Sequence, residues 1–156
     1  MNLKLPISSS SDSESWTDLV LKLRECLFVS FEGQVEAFKE DIAKSDSQGA
    51  LPGWNYCQYF LLKESFAYLY ETMNLPDLSL LIYDELEDKY SQLTMNPPAV
   101  WFKIFGGLDE SDDSADVLNI RRKPYRDLIM TNDVTMFDFR VYLFARQVCV
   151  ALAVSL

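Results

Sequence analysis

The chain has no histidine among its 156 residues. This removes Ser-His-Asp and Cys-His nucleophile arrangements, histidine metal sites and the commonest general acid–base residue. Glycine is scarce too: five are scattered along the chain, and Gly106-Gly107 lacks the lysine and hydroxyl residue that complete a phosphate-cradling P-loop. Cys26, Cys57 and Cys149 lie far apart with no CxxC pair, so neither a disulfide framework nor a zinc site is indicated. They read as buried free thiols of a protein in a reducing, intracellular compartment. Basic residues number 14 against 24 acidic, and the net charge of −10 argues against nucleic-acid binding or attraction to anionic lipid. Met1 to Ile7 is too short for a signal-peptide core.

Apolar residues make up 49% of the chain, enough at this length to build a real core. The clearest element is Trp54 to Leu93, which reads as two amphipathic helices folded back on each other. Cys57, Phe60, Leu61, Phe66, Ala67 and Tyr70 recur at helical spacing, and so do Leu78, Leu81, Ile82, Leu86, Tyr90 and Leu93. Asn74 can leave the first helix in a left-handed conformation, Pro76 suits a first helical turn, and Asp77 complements the positive end of the second helix. Ala67, Tyr70, Ser79 and Tyr83 are placed like positions of a tetratricopeptide unit, although no 34-residue repeat runs through the chain.

Residues 1–13 read as a flexible serine-rich lead segment, and residues 14–156 as one helical, solenoid-like domain. The first helix is expected from Ser15, with Asp18 closing a capping box and a stripe from Trp16 through Leu23, Leu27, Val35 and Ile42. Gly33 is a candidate bend. Ser45 to Gly53 is a loop, and Asn96-Pro97-Pro98 stops the hairpin's second helix. Ala99 to Phe105 is an apolar run too short to assign. Asn132 to Leu156 is the last helix, capped by Thr135 and Asp138 and apolar on nearly every side. Asp138, Arg140 and Arg146 break it too often for a membrane span, so burial between other helices is expected. It ends without a stop signal at Leu156, as in an array incomplete at its C-terminal end.

Five acids between Gly106 and Asp116 lack the alternation, central glycine and closing glutamate of a calcium loop and read as solvated. Arg121, Arg122, Lys123 and Arg126 form the basic cluster. They either pair with the acids just upstream and face solvent, or dock on acidic side chains of a partner. Asp84, Glu85, Glu87 and Asp88 read as the solvated side of a helix. No nucleophile–base pair can be assembled, so the chain is expected not to be an enzyme and to need no cofactor or metal.

Glu14-Ser-Trp16 with Leu23, Gly53-Trp54-Asn-Tyr-Cys57, Tyr59-Phe60, Tyr83-Asp84-Glu85-Leu86 and Phe137-Asp138-Phe-Arg140-x-Tyr142-Leu143-Phe144-x-Arg146-Gln147 occur in one order. In this the chain resembles the large TRAPP II-specific subunit family, subunit ten of the trafficking protein particle complex, over about Ser13 to Val150. The resemblance implies an internal piece of a much longer subunit with a helical-solenoid middle and a β-sandwich distal part. It implies a complex that tethers vesicles at the Golgi and acts as a Rab GTPase exchange factor. The exchange chemistry lies in small core subunits, so no catalytic residue is carried over.

The reading is therefore an all-α chain of antiparallel helical hairpins, a TPR-like or α-solenoid segment. The resemblance implies a scaffold in a TRAPP-type tethering complex, cytoplasmic and peripheral at the Golgi, with other TRAPP subunits as expected partners and Rab-type GTPases contacted indirectly. Nucleic acid is no partner, and membranes are reached only through the complex. The alternative is a free-standing TPR-like adaptor that binds a peptide beside Tyr70 and Tyr83.

Overall fold

The computed structural model describes residues 9–49, 51, 53–95 and 118–155. All regular structure among them is helical, in five helices: α1 Ser9–Ser47, α2 Tyr56–Thr72, α3 Pro76–Met95, α4 Tyr125–Thr131 and α5 Met136–Val154. The all-α expectation holds. By contacts the chain divides into two units, residues 1–39 and 40–156. The apolar run Ala99–Phe105 and the acids of 106–116 lie outside the described residues, as do residues 1–8.

Most of α1 forms the first unit. The helix begins at Ser9, upstream of the expected cap at Ser15, and neither proline nor glycine interrupts the segment between them. Asp18 is therefore no capping-box residue, and its carboxylate instead accepts from Lys22 Nζ one turn on at 2.8 Å. Helix also runs unbroken through Gly33, where a Cβ would meet nothing within 4 Å. The anticipated stripe is largely uncovered: Trp16, Leu19, Val20, Leu23 and Leu27 are exposed, whereas Val35 is buried.

The second unit is built on the α2–α3 hairpin, whose turn forms as expected. Asn74 adopts φ 57°, in the left-handed region, and Pro76 opens α3. At the start of α2, Asn55 Oδ1 accepts from the Cys57 amide at 2.8 Å as N-cap. The Asn55 Nδ2 donates to Asn132 Oδ1 at 2.7 Å, and Asn132 is itself the left-handed C-cap of α4. Two helix ends 77 residues apart are thus pinned together.

Helix α3 packs on α2 along one side and on α5 along another, and the short α4 lies against α2 and α5. Their junction is aromatic: Phe60 meets Phe139 edge-on at 4.7 Å between centroids, Tyr90 stacks on Phe139 at 5.1 Å, and Tyr125 stacks on Tyr142 at 5.7 Å. Two hydroxyls in this layer find backbone acceptors, Tyr56 donating to Leu86 O at 2.8 Å and Tyr90 to Met136 O at 2.9 Å. Helix α5 is apolar on nearly every side, yet among the described residues only one side is covered. Phe139, Val141, Leu143 and Val150 are buried, while Phe137, Phe144, Leu152 and Val154 are exposed. Burial of the whole helix among its neighbours is thus corrected to burial of one face.

Candidate functional site: the seam between the hairpin and the last helix

Two of the motifs, Tyr83–Leu86 and Phe137–Gln147, meet at one seam, where α5 lies against the hairpin. Arg146 donates from Nε to the Tyr83 hydroxyl at 2.9 Å and from Nη2 to Glu71 Oε1 at 2.7 Å. The same Glu71 oxygen accepts from the Ser79 hydroxyl at 3.1 Å, so one carboxylate ties α2, α3 and α5 together. One turn earlier on α5, the Tyr142 hydroxyl donates to Glu64 Oε1 at 2.5 Å. Arg126 of α4 donates from Nε to Glu64 Oε2 at 2.9 Å. Gln147 Nε2 completes the seam by donating to Asp84 at 3.1 Å and Glu87 at 2.8 Å.

Glu64 is only 4% exposed, and a buried carboxylate costs several kcal/mol unless it is paired and hydrogen-bonded; both of its oxygens are satisfied. Burial drives the Tyr83 phenol well above its usual range, and the nearby Arg146 charge offsets only part of this. Burial also raises Tyr142, with Glu64 adding to the rise. Arg146 loses solvation by burial, but Tyr83 and Glu71 outweigh that loss and hold the guanidinium charged. The seam is thus a set of satisfied charges and neutral phenols. Its phenols are held protonated by burial and its carboxylates accept from partners on neighbouring helices, so the pairs tie the helices together.

Sequence reasoning missed Glu64 and Glu71, although a signal was present. Glu64 sits four residues after Phe60 and three before Ala67, a charged residue on the apolar face of α2. The small residue and rings singled out in the hairpin are packed, with Ala67, Ser79 and Tyr83 fully buried. Tyr83 therefore does not line an open groove.

Members of the basic cluster meet separate partners. Lys123 Nζ pairs with Asp138 at 2.9 and 3.0 Å, and Arg126 pairs with Glu64. Arg122 is also engaged. Arg121 is exposed, and its backbone amide donates to Asn119 Oδ1 at 3.2 Å. Asp138 was expected to close the capping box of α5; Thr135 does accept from the Asp138 amide at 3.1 Å, but the carboxylate turns to Lys123. Among the acids of α3, Glu85 pairs with Lys63, while Asp84 and Glu87 accept from Gln147.

A second cluster ties the end of α1 to the hairpin within the second unit. Lys89 pairs with Asp46 and lies over the rings of Tyr59 at 4.0 Å and Trp54 at 5.4 Å. The Trp54 indole Nε1 is buried without a hydrogen-bond partner among the described residues. The thiols differ from expectation: Cys57 is buried, but Cys26 and Cys149 are exposed because their helix faces are uncovered. An open cleft of about 420 Å³ runs between α3 and α5, lined by Tyr90, Thr94, Phe137, Arg140 and Phe144 among others. No three His, Cys, Asp or Glu side chains converge as a metal site among the described residues. No helix there is long and apolar enough to cross a membrane.

No family model matches the chain, and no solved structure matches it significantly. Among curated proteins, it is 38% identical over 136 residues to the Trafficking protein particle complex II-specific subunit 130 homolog of Oryza sativa subsp. japonica, covering 87% of this chain and 11% of that protein. The protein of the same name in Arabidopsis thaliana is 38% identical over 132 residues, or 85% of this chain and 10% of its own length. Trafficking protein particle complex subunit 10 of Homo sapiens is 33% identical over 147 residues, or 89% and 11%. The chain thus spans about a tenth of the length of these relatives. It belongs with the TRAPP complex subunit 10 and II-specific subunit 130 family.

Proposed function

We propose that the chain is a scaffold segment of a TRAPP-type vesicle-tethering complex acting in membrane traffic at the Golgi. The observation that carries this reading is that its signature residues lock helices to one another rather than converge on a reactive site: Arg146 closes on Tyr83 and Glu71, and Gln147 on Asp84 and Glu87. The uncovered apolar sides of α5 and α1 agree with a piece that works in contact with other protein. Its partners are other TRAPP subunits, and Rab-type GTPases are reached indirectly through the exchange activity of the assembled complex. In this role the chain performs no catalysis, binds no nucleic acid, and associates with membranes from the cytoplasmic side only through the complex.

Affinity purification of the tagged full chain from cells tests the proposal. Other TRAPP subunits should be recovered with it by mass spectrometry. A chain that folds with a cooperative thermal transition and recovers none of them contradicts the scaffold role.

A further inference from the structure

Beside the seam, α2, α4 and α5 enclose an open cleft of about 370 Å³, lined by Glu64, Ser65, Tyr68, Arg126, Tyr142 and Arg146. Its charges are layered. The Glu64 side chain is 5% exposed, whereas that of Arg126, paired to it, is 57% exposed. The pair therefore turns its negative end into the protein and its positive end to the outside. Arg126 spends Nε on Glu64, and its terminal nitrogens make no hydrogen bond among the described residues. A planar guanidinium edge left open in this way matches a carboxylate by two parallel hydrogen bonds. Arg146 stands on the facing helix as a second cation, itself held by Tyr83 and Glu71. Ser65 is committed to Leu61 O at 2.8 Å and does not compete for an anion. Tyr68 is 60% exposed and supplies an apolar wall for the methylenes of an incoming side chain.

We propose that this cleft receives an acidic side chain, aspartate or glutamate, presented by a protein partner and held by Arg126 with Arg146 behind it. The proposal rests on the scaffold reading and names the chemistry of one contact. It also differs from a linear basic patch, because the second cation comes from α5 and not from Arg121–Lys123. A singly charged carboxylate fits better than a phosphate group, since Glu64 and Glu71 flank the arginines and would repel a second negative charge.

The test is a titration of the nitrogen-15-labelled full chain with a hexaglutamate peptide at low salt, following the arginine Nε–Hε resonances. Arg126 and Arg146 should shift together, saturably and reversibly with salt. Arg126→Lys, which keeps the charge but loses the planar fork, should bind about tenfold more weakly. Arg121→Gln, outside the cleft, should bind as the parent does. Shifts absent, or spread over all exposed arginines alike, overturn the proposal. Tighter binding of inorganic phosphate, or of phosphatidylinositol-phosphate vesicles, at the same resonances overturns it in favour of a phosphate site. If TRAPP subunits co-purify while the peptide does not bind, this contact fails and the scaffold role stands. If the peptide binds and no subunit is recovered, the scaffold role fails alone.

Discussion

The Arg146 guanidinium donates from Nε to the Tyr83 hydroxyl at 2.9 Å across 63 residues of chain, joining the two densest sequence motifs of the molecule. The Tyr-Asp-Glu-Leu stretch of α3 and the Tyr-Leu-Phe-x-Arg-Gln stretch of α5 are the two halves of one contact. Tyr83 supplies its ring to the hairpin core and its hydroxyl to Arg146, so its two parts can be removed separately. Tyr83→Ala should cost about 3–5 kcal/mol, as for other large buried aromatics. Tyr83→Phe should cost about 1–2 kcal/mol, because it leaves the Arg146 donor short of an acceptor. Urea unfolding of the three proteins reads both values, and equal stabilities would mean that the ring is not core.

Glu64 offers a comparison of buried and exposed polar ties. Glu64→Gln keeps the size of the side chain but leaves Arg126 without its carboxylate and weakens the acceptor for Tyr142. A loss of about 2–3 kcal/mol is expected by thermal or chemical unfolding, within the range for charge-assisted bonds. Gln147→Ala, at the exposed end of the same seam, should change stability by no more than about 0.5 kcal/mol.

The alkaline limb of the stability curve follows from the buried phenols and thiol. Burial raises Tyr56, Tyr83 and Tyr142 above their ordinary value of 10.0, and pushes Cys57 from 9.0 up to about 12. These groups stay protonated in the folded chain to higher pH than in the unfolded one. Their stabilisation is therefore fully present below about pH 9 and is lost as pH rises through the folded-state values. Unfolding free energy should be flat in this respect from pH 7 to 9 and fall steeply above about pH 10. Phenolate absorbance should rise together with unfolding.

The uncovered side of α5 predicts behaviour in solution. Phe137 and Phe144 are 43% and 50% exposed and border the α3–α5 cleft. Phe137→Ser with Phe144→Ser should lower self-association of the isolated chain, seen by light scattering, and shift the melting temperature by no more than a few degrees. A collapse of the fold would show that these rings are core after all.

Local chemistry was legible and long-range pairing was not. Asn74, Pro76 and Thr135 announced their helix ends because a left-handed residue, an initial proline and a cap act within one turn. Helix α4 escaped notice since its seven residues are too short for periodicity, although Pro124 before it and Asn132 after it mark both ends. The stripe of α1 is one helix face, as its spacing indicates, but most of it is exposed, because spacing shows which residues share a side and not what covers it. The acids that the basic cluster meets were likewise not legible, since folding gives Lys123 to Asp138 of α5 and Arg126 to Glu64 of α2.

A double-mutant cycle between Tyr83→Phe and Arg146→Met tests most directly whether the two signature motifs act as one structural tie. Unfolding free energies of the parent, both single variants and the double variant should give a coupling of about 1.5–2 kcal/mol, the lower part of the range for a hydrogen bond to a charged group. Effects that add to within about 0.3 kcal/mol would contradict the account, because the motifs would then stabilise their own helices and not the joint between them.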